Sequence, residues 1–387
     1  MKMIRMKNKK LKVPFFLPFI DKSDISKIKN AALSTYLTNG PRLETFEKQF
    51  QKFTNCKYAI GVSNATSALH ISLKALGIGS GDEVIVPDLT FAATANSVLQ
   101  SGAVPVIADV DEKTLNISPN SIIKNINKKT KAIIPVHFAG TTCDMQQILK
   151  ISKKHSLKII EDCAHGIGSY LNKKHVGTFG STGCFSFYPT KNLTTIEGGM
   201  IITNNKKIAK FAQLARNHGL NRTLMNRYSS GKPWDYDIKH VGYNYRLDEI
   251  RCAIGISQLE KIKKLNKKRL TAFRYYNKLL SDLPGLILPL EENFQNSSCH
   301  LYIIRITNKA KINRDQLFHY LQKNGIGTTV HYKPLHKFTI FQNNSFQRKK
   351  LVISKKLYKE ILSLPLYPQL TKSNQDYVAK YIKKALF

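Results

Sequence analysis

The sequence predicts an α/β protein: a mostly parallel sheet covered on both faces by helices, followed by a smaller C-terminal α/β domain. Three observations predict it. From about residue 56, short apolar runs alternate with helical segments, with no repeats and no low-complexity linker. The runs are Val- and Ile-rich along their whole length, as expected of strands buried on both faces. A long amphipathic stretch from Asp248 to about Leu280 then precedes a remainder of mixed character.

Taken in order, YAIGV (58 to 62) reads as a buried strand, followed by a turn and the helical run TSALHISLKAL (66 to 76). EVIVP (83 to 87) is a second strand and FAATANSVLQ (91 to 100) a helix. VPVIADV (104 to 110), KAIIPVHF (131 to 138) and LKIIED (157 to 162) are further strands, with a helix over 143 to 155 between the last two. CFSF (184 to 187) and GGMIITN (198 to 204) read as strands joined by a short loop. Ile250, Ile254, Leu259, Ile262 and Leu265 recur at helical spacing in the long amphipathic stretch. Beyond it come the strand HLYIIRIT (300 to 307), a helix over 314 to 324 and a final helix SNQDYVAKYIKKALF.

The 387 residues suit a large domain plus a smaller one. We expect a flexible basic tail over 1 to 13, a large domain over 14 to 260 and a small domain over 261 to 387. No apolar run reaches the roughly 18 residues of a membrane span. VPFFLPFI after a basic start is short, contains Pro14 and Pro18, and lacks a small-residue cleavage site, unlike a signal peptide. Six scattered cysteines without a C-x-x-C pair suit reduced thiols in a cytoplasmic enzyme better than disulfides or a zinc site. No metal site is expected. The formal charge of +36 is spread over most of the chain rather than gathered in one stripe, and it accompanies many Asn and Ile, as AT-rich coding would give. It raises the local concentration of anionic ligands without naming one.

In open α/β sheets, ligands bind outside the carboxyl ends of the parallel strands. Asp162 ends LKIIED, Phe91 follows EVIVP, Ala65 and Thr66 start the helix after YAIGV, and Lys191 follows CFSF. These four places converge on one crevice. The turn Ser63-Asn64-Ala65-Thr66-Ser67 puts small residues at a helix N-terminus, where free N–H groups and the dipole favour a phosphate; an ordinary Ser/Thr N-cap accounts for the same string. Asp162 either caps the next helix or, beside a pyridine ring, keeps the ring nitrogen protonated. Phe91 is either core or a stacking surface for a flat ring. Lys191 is one of 61 Lys and Arg, but its context SFYPTKNLTTIEGGMI singles it out. Pro189 and the turn hold it at a strand edge, Ser186 offers a hydroxyl, and Gly198 and Gly199 permit close backbone approach.

These residues carry a family resemblance. The chain resembles the DegT-type sugar-nucleotide aminotransferases, fold-type I enzymes of pyridoxal 5′-phosphate (PLP), from LTNGPRLETFEKQF through SNATSALHISLKALGIGSGDEVIVPDLTF, EDCAHGIGS, FSFYPTKNLTTIEGG and GYNYRLDEIRCAIGISQLEKI to VHYKPLH and LSLPLYPQLT. The resemblance implies that Lys191 is the Schiff-base lysine and Asp162 the partner of the pyridine nitrogen. It places His165 near the cofactor's phenolic oxygen, Ala65, Thr66 and Ser186 around its phosphate, and Phe91 on its ring. It implies that Asn244 reaches the phosphate from the second subunit of a homodimer, and that His331 and Tyr332 lie near the sugar. Family members with His at the lysine position dehydrate; Lys191 favours amination. The implied reaction takes the amino group of L-glutamate to a keto-sugar nucleotide, at C4 of a 6-deoxyhexose, with a 3-keto sugar as the alternative acceptor.

Two other classes compete. One is a nucleic-acid-binding regulator on an aminotransferase fold, suggested by the charge; it would have little need of Asp162, Ser186 and Lys191 together. The other is a PLP enzyme of small amino acids, which would clamp a carboxylate with an arginine that the sequence does not reveal. The polar segment 217 to 237, holding the only Trp, is expected to form a loop over the site. No specific nucleic-acid partner and no membrane partner are expected. Binding to DNA should therefore be weak and collapse with salt; tight, sequence-selective binding that survives moderate salt would support the regulator instead.

Overall fold

A computed structural model describes residues 11–221, 234–291, 294–342 and 346–387. Seven strands form the main sheet: Tyr58–Val62 (β1), Glu83–Pro87 (β2), Val104–Ala108 (β3), Thr130–Ile133 (β4), Lys158–Asp162 (β5), Thr182–Ser186 (β6) and Gly199–Thr203 (β7). Their spatial order is β1-β7-β6-β5-β4-β2-β3. All neighbours are parallel except β7, which runs antiparallel to both β1 and β6. The reason is local. A parallel return needs a crossover of a dozen or more residues, usually helical, whereas β6 and β7 are joined by a short loop.

Helices Lys22–Ala32 (α1), Pro41–Thr54 (α2), Ala65–Ala75 (α3), Ala93–Gln100 (α4), Pro119–Asn125 (α5), Met145–His155 (α6), Lys206–Ala215 (α7) and Glu249–Leu280 (α8) complete the larger part. The strand alternation sorts the side chains into two layers. Val62, Val84, Ile160, Cys184 and Ile201 pack against α3, α4 and α7. On the opposite face Phe185, Met200 and Ile202 meet Phe46 and Phe50 of α2 and Ile262 of α8, and Ile133 and Ile159 meet Ile148 and Ile151 of α6. The smaller part has an antiparallel sheet of Leu286–Ile287 (β8), Tyr302–Ile306 (β9) and Ile361–Leu364 (β10), with helices Arg314–Lys323 (α9), Val352–Glu360 (α10) and Lys372–Leu386 (α11).

Two expected boundaries meet facts that the sequence conceals. Residue 260 lies inside α8, a single helix roughly 48 Å long that packs on both α1 and α11. Val13, assigned to the tail, is fully buried: its N–H donates to Gly325 (3.0 Å) and its carbonyl accepts from Gly327 (2.8 Å). Residues 1–10 lie outside the described residues.

α2 depends on α8. Its N-cap, Gly40, has no side chain to satisfy the first helical N–H groups. The buried carboxylate of Glu249 does so instead, accepting from Gly40 (3.0 Å), Arg42 (2.8 Å) and Leu43 (3.0 Å) across 209 positions of sequence or slightly fewer. Glu249→Ala leaves three N–H groups without an acceptor and should cost about 3 kcal/mol in urea unfolding. Glu249→Gln, which keeps one acceptor oxygen, should cost less. A loss below about 0.5 kcal/mol for the alanine variant, the level of an unremarkable surface change, would contradict this role.

Candidate active site

The carboxyl ends of β5 and β6 and the start of α3 meet in one cleft. Asp162 is the last residue of β5 and is registered opposite Cys184 of β6. Its side chain is buried, with Thr94 Oγ1 donating to Oδ2 (2.9 Å) and the Ala164 N–H donating to Oδ1 (3.1 Å). Burial raises its pKa; those two hydrogen bonds and the positive charge of Lys191 act in the opposite direction. Thr94 reaches it from α4 and is itself 2.8 Å from the hydroxyl of Thr90.

Lys191 sits in the turn after β6. Its N–H donates to the Tyr188 carbonyl (2.9 Å), and β6 is anchored beneath by Phe185 and Phe187, whose rings lie 5.1 Å from Phe50 and 5.4 Å from Phe46. The side chain is partly exposed in a cleft lined by Phe15, Phe16, His300, His331 and Tyr332. Enough protein surrounds the amine that burial holds its pKa down to about 8, with the Asp162 charge opposing. No ion pair within 4.0 Å joins amine and acid, yet each feels the other's charge. The two groups are thus near each other without being in contact.

The start of α3 closes the other end. Asn64 is the N-cap, its Oδ1 accepting from the Ser67 N–H (2.8 Å), so neither a Ser nor a Thr fills that role. The N–H groups of Ala65 and Thr66 are left as outward-pointing donors at the positive end of the helix. Ser186, at the end of β6, is paired in register with Gly199 of β7. A Cβ at Gly199 would lie 2.5 Å from the Asn64 carbonyl and 2.9 Å from the Ala65 nitrogen. Only glycine lets β7 pass so close, and this brings the Ser186 strand end beside the α3 N-terminus.

His165 is buried, and burial, followed by the charge of Lys191, pushes its pKa well below the usual range. Its Nδ1 accepts from the Ala139 N–H (3.3 Å), so in the neutral ring Nε2 carries the hydrogen and donates to the Tyr332 hydroxyl (3.1 Å). The Tyr332 hydrogen is then free for another acceptor, and burial raises the pKa of that phenol. Tyr332 also lies 5.8 Å from the ring of Phe91, which is 62% exposed and so not a core residue. His331 Nδ1 is 2.9 Å from Ser363 Oγ, and burial holds its pKa down to about 3. Asn244 stands apart in this protomer. It is exposed, and its side chain makes no hydrogen bond among the described residues; its neighbour Tyr245 ties the segment to the cleft, accepting from the Ser63 N–H (2.9 Å). Of the expected loop over 217 to 237, residues 222–233 lie outside the described residues.

Sequence reasoning missed the supports. Glu161, beside Asp162, accepts from the N–H groups of Gly177, Phe179 and Gly180 (each 2.7 Å) and pairs with His137 Nε2 (3.1 Å). His137, Glu161 and Cys163 are close enough to suggest a metal site. Both nitrogens of His137 are already committed, however, because Nδ1 accepts from the Cys143 N–H (3.1 Å). His137 and Glu161 form a hydrogen-bonded strut beside Asp162. The one signal for Glu161 was a second carboxylate directly before Asp162 in a strand with an apolar centre.

Fold and cleft together define an α/β enzyme that sets a partly exposed lysine near a buried acid. The comparisons agree. Residues 18–383 match the DegT/DnrJ/EryC1/StrS aminotransferase family, and the chain belongs to that family. It is 36% identical over 374 residues to the spore coat polysaccharide biosynthesis protein SpsC of Bacillus subtilis, covering 96% of each chain. Among solved structures it is similar to Helicobacter pylori PseC, an aminotransferase involved in the biosynthesis of pseudoaminic acid (TM-score 0.89, 32% identity, 97% and 99% of the two chains). It is also similar to the PLP form of the putative sugar aminotransferase Spr1654 of Streptococcus pneumoniae (TM-score 0.89, 28% identity, 96% and 98%). The protein is an aminotransferase, and its cofactor is PLP.

The residues fit that group. Lys191 offers an amine for an aldehyde, the nearby Asp162 an acid for a pyridine nitrogen, and the unpaired N–H groups at α3 suit a phosphate. Gly199→Ala should push back the α3 N-terminus and weaken PLP binding about tenfold or more, equivalent to one charge-assisted hydrogen bond, in absorbance titrations of the cofactor-free protein. Unchanged affinity would show that the close approach does not matter to the phosphate.

Proposed function

We propose that this aminotransferase moves the amino group of L-glutamate to the C4 ketone of a nucleotide-linked 4-keto-6-deoxyhexose. The family and its sugar-biosynthetic relatives support a sugar acceptor. The observation that carries the reading is the Lys191–Asp162 pair, close enough for each to feel the other's charge yet beyond ion-pair distance.

When bound, PLP supplies the electron sink that stabilises a carbon losing its proton. Lys191 holds the cofactor at rest. Once displaced, its amine takes a proton from the α-carbon of the donor and later delivers one to the carbon that receives nitrogen, acting as general base and acid. An amine brought near neutrality suits both tasks better than one at the ordinary lysine value. Asp162, its two oxygens fixed by Thr94 and Ala164, holds a proton at the pyridine nitrogen. Ala65, Thr66 and Ser186 hold the phosphate, and Phe91 stacks on the ring. His165 acts through Tyr332: its nitrogens are committed, and the tyrosine hydroxyl relays its donor capacity toward the phenolic oxygen or the sugar. His331 lines the sugar side.

A homodimer completes the site. The loops carrying Lys191 and Asn244 expose apolar side chains at Tyr188, Ile196, Ile238 and Val241, and a second copy covering them would bring Asn244 to the phosphate of its neighbour. Six unpaired cysteines favour the cytoplasm as the working compartment. No helix among the described residues is long and apolar enough to cross a membrane. The assembled cleft favours an enzyme over a nucleic-acid-binding regulator.

The test is to incubate the enzyme with L-glutamate and a panel of 4-keto-6-deoxy and 3-keto sugar nucleotides, identifying products by mass and NMR. A 4-amino sugar should form, and Lys191→Ala should lose roughly 10²–10⁴ in rate. Amination of the 3-keto substrates alone would overturn the position proposed.

A further inference from the structure

The positive charge runs along most of the chain, yet one surface gathers it. From Lys333 to Lys359 the sequence holds no Asp and no Glu. The two ends of this segment, the stretch 333 to 337 and α10, face each other across an open groove of about 590 Å³. Its lining includes Lys333, His336, Lys337, Lys355, Tyr358 and Lys359, and no acid. Lys355 and Lys359 stand four positions apart on α10 and so share a helix face. None of the four groove lysines is in an ion pair among the described residues, whereas Lys356 and Arg348 nearby pair with Glu112 and Glu83. Lys333 and Lys337 instead lie over the rings of Phe338 (4.8 Å) and Tyr358 (5.0 Å). Those rings place the ammonium groups and leave their N–H donors unused.

His336 belongs to the same groove and is built in from below. It is buried, and Asp88, the residue after β2, sets its position. One Asp88 oxygen accepts from the His336 N–H (3.0 Å); the other lies 2.6 Å from Nδ1 and accepts from Ser354 Oγ (2.5 Å). Asp88 itself is fully buried, so its carboxylate does not face the groove. With Nδ1 committed, Nε2 is the nitrogen left over. It has no partner among the described residues and is not sealed into the core. Four ammonium groups gathered without a counter-charge repel one another, and an anion between them would relieve that repulsion.

We propose that this groove binds an anion of two or more linked phosphates, at a site apart from the phosphate of PLP. Lysine meets phosphate oxygens as a point charge, without the planar match that a guanidinium requires. One pair of lysines would serve a single phosphate; two pairs on facing walls, with an imidazole edge beside them, suit a longer anion. In its charged form the His336 ring donates from both nitrogens, to Asp88 on one side and to the phosphate on the other. The bound anion ties the stretch 333 to 337 to α10, and Tyr332 of the catalytic cleft directly precedes that stretch.

The test uses PLP-loaded protein, so that the cofactor's own phosphate site is filled, and inorganic pyrophosphate as the probe in calorimetry at moderate salt. Lys355→Gln/Lys359→Gln should weaken binding about tenfold or more, the worth of one charge-assisted hydrogen bond. Lys383→Gln/Lys384→Gln, which removes the same charge from α11, should stay within about twofold of the wild type. Thermal melting confirms that both variants fold. Equal losses in the two variants would mean attraction by net charge alone and overturn the proposal. Orthophosphate binding as tightly as pyrophosphate would overturn it too. The nitrogen-15 resonance of His336 Nε2 should move when pyrophosphate binds, and an unmoved resonance counts against the site. A UDP arm identifies the source of the phosphates. UDP binding that exceeds pyrophosphate and falls in Lys355→Gln/Lys359→Gln supports a nucleotide, and equal affinity supports an inorganic chain. Duplex DNA that displaces pyrophosphate and binds more tightly would make the groove a nucleic-acid surface and refute the proposal.

Discussion

The structure depends on keeping a cleft-lining amine and a buried acid close without letting them pair. In a low-dielectric interior, opposite charges free to approach would collapse into an ion pair. Here the backbone prevents it. Asp162 is pinned at the end of β5 by the Thr94 hydroxyl and the Ala164 N–H, and by the Glu161 strut below. Lys191 is pinned in a turn whose strand is clamped by Phe46 and Phe50. Leaving such groups unpaired costs stability, and an enzyme recovers that cost when a cofactor binds them. The demand reaches outward. Clamping β6 requires α2, and α2 requires the carboxylate of Glu249 on α8 to begin at all.

The legible part of the fold was the part with a period. Strands such as YAIGV and EVIVP are mostly apolar because both faces are buried, and the structure starts and ends these two at the residues read; KAIIPVHF over-reached, because the strand there stops at Ile133. The places of Asp162, Phe91, Ala65, Thr66 and Lys191 at strand ends and a helix start were legible, and in an α/β sheet such places face the ligand side. The antiparallel direction of β7 follows from the short loop before it, yet its place between β1 and β6 does not, since strand order is set by packing rather than by local pattern. Gly199 announced itself only as glycine; its contact with Asn64 needed the third dimension.

What escaped the sequence was the second layer of polar residues. Glu161, Asn192, Asn266, His300 and Glu249 are single polar side chains in buried places, without spacing that marks them. Their partners lie from 16 to 209 positions away. Val13 escaped for a related reason, because a residue that completes a bridge to Ile326 cannot be told from a tail by its basic neighbours. Around Lys191 this hidden layer does more than support. It fixes the hydrogens on His165 and His300, so one imidazole donates to Tyr332 and the other to Asn192.

The most direct measurement of the central claim is chemical. PLP-loaded protein is reduced with borohydride, digested and mapped by mass spectrometry. The account predicts that the yellow band disappears and that the cofactor mass is found on Lys191 alone, among all the lysines of a chain with 61 basic Lys and Arg residues. A label on another lysine, or a Lys191→Ala protein that still captures the cofactor covalently at full yield, would contradict it.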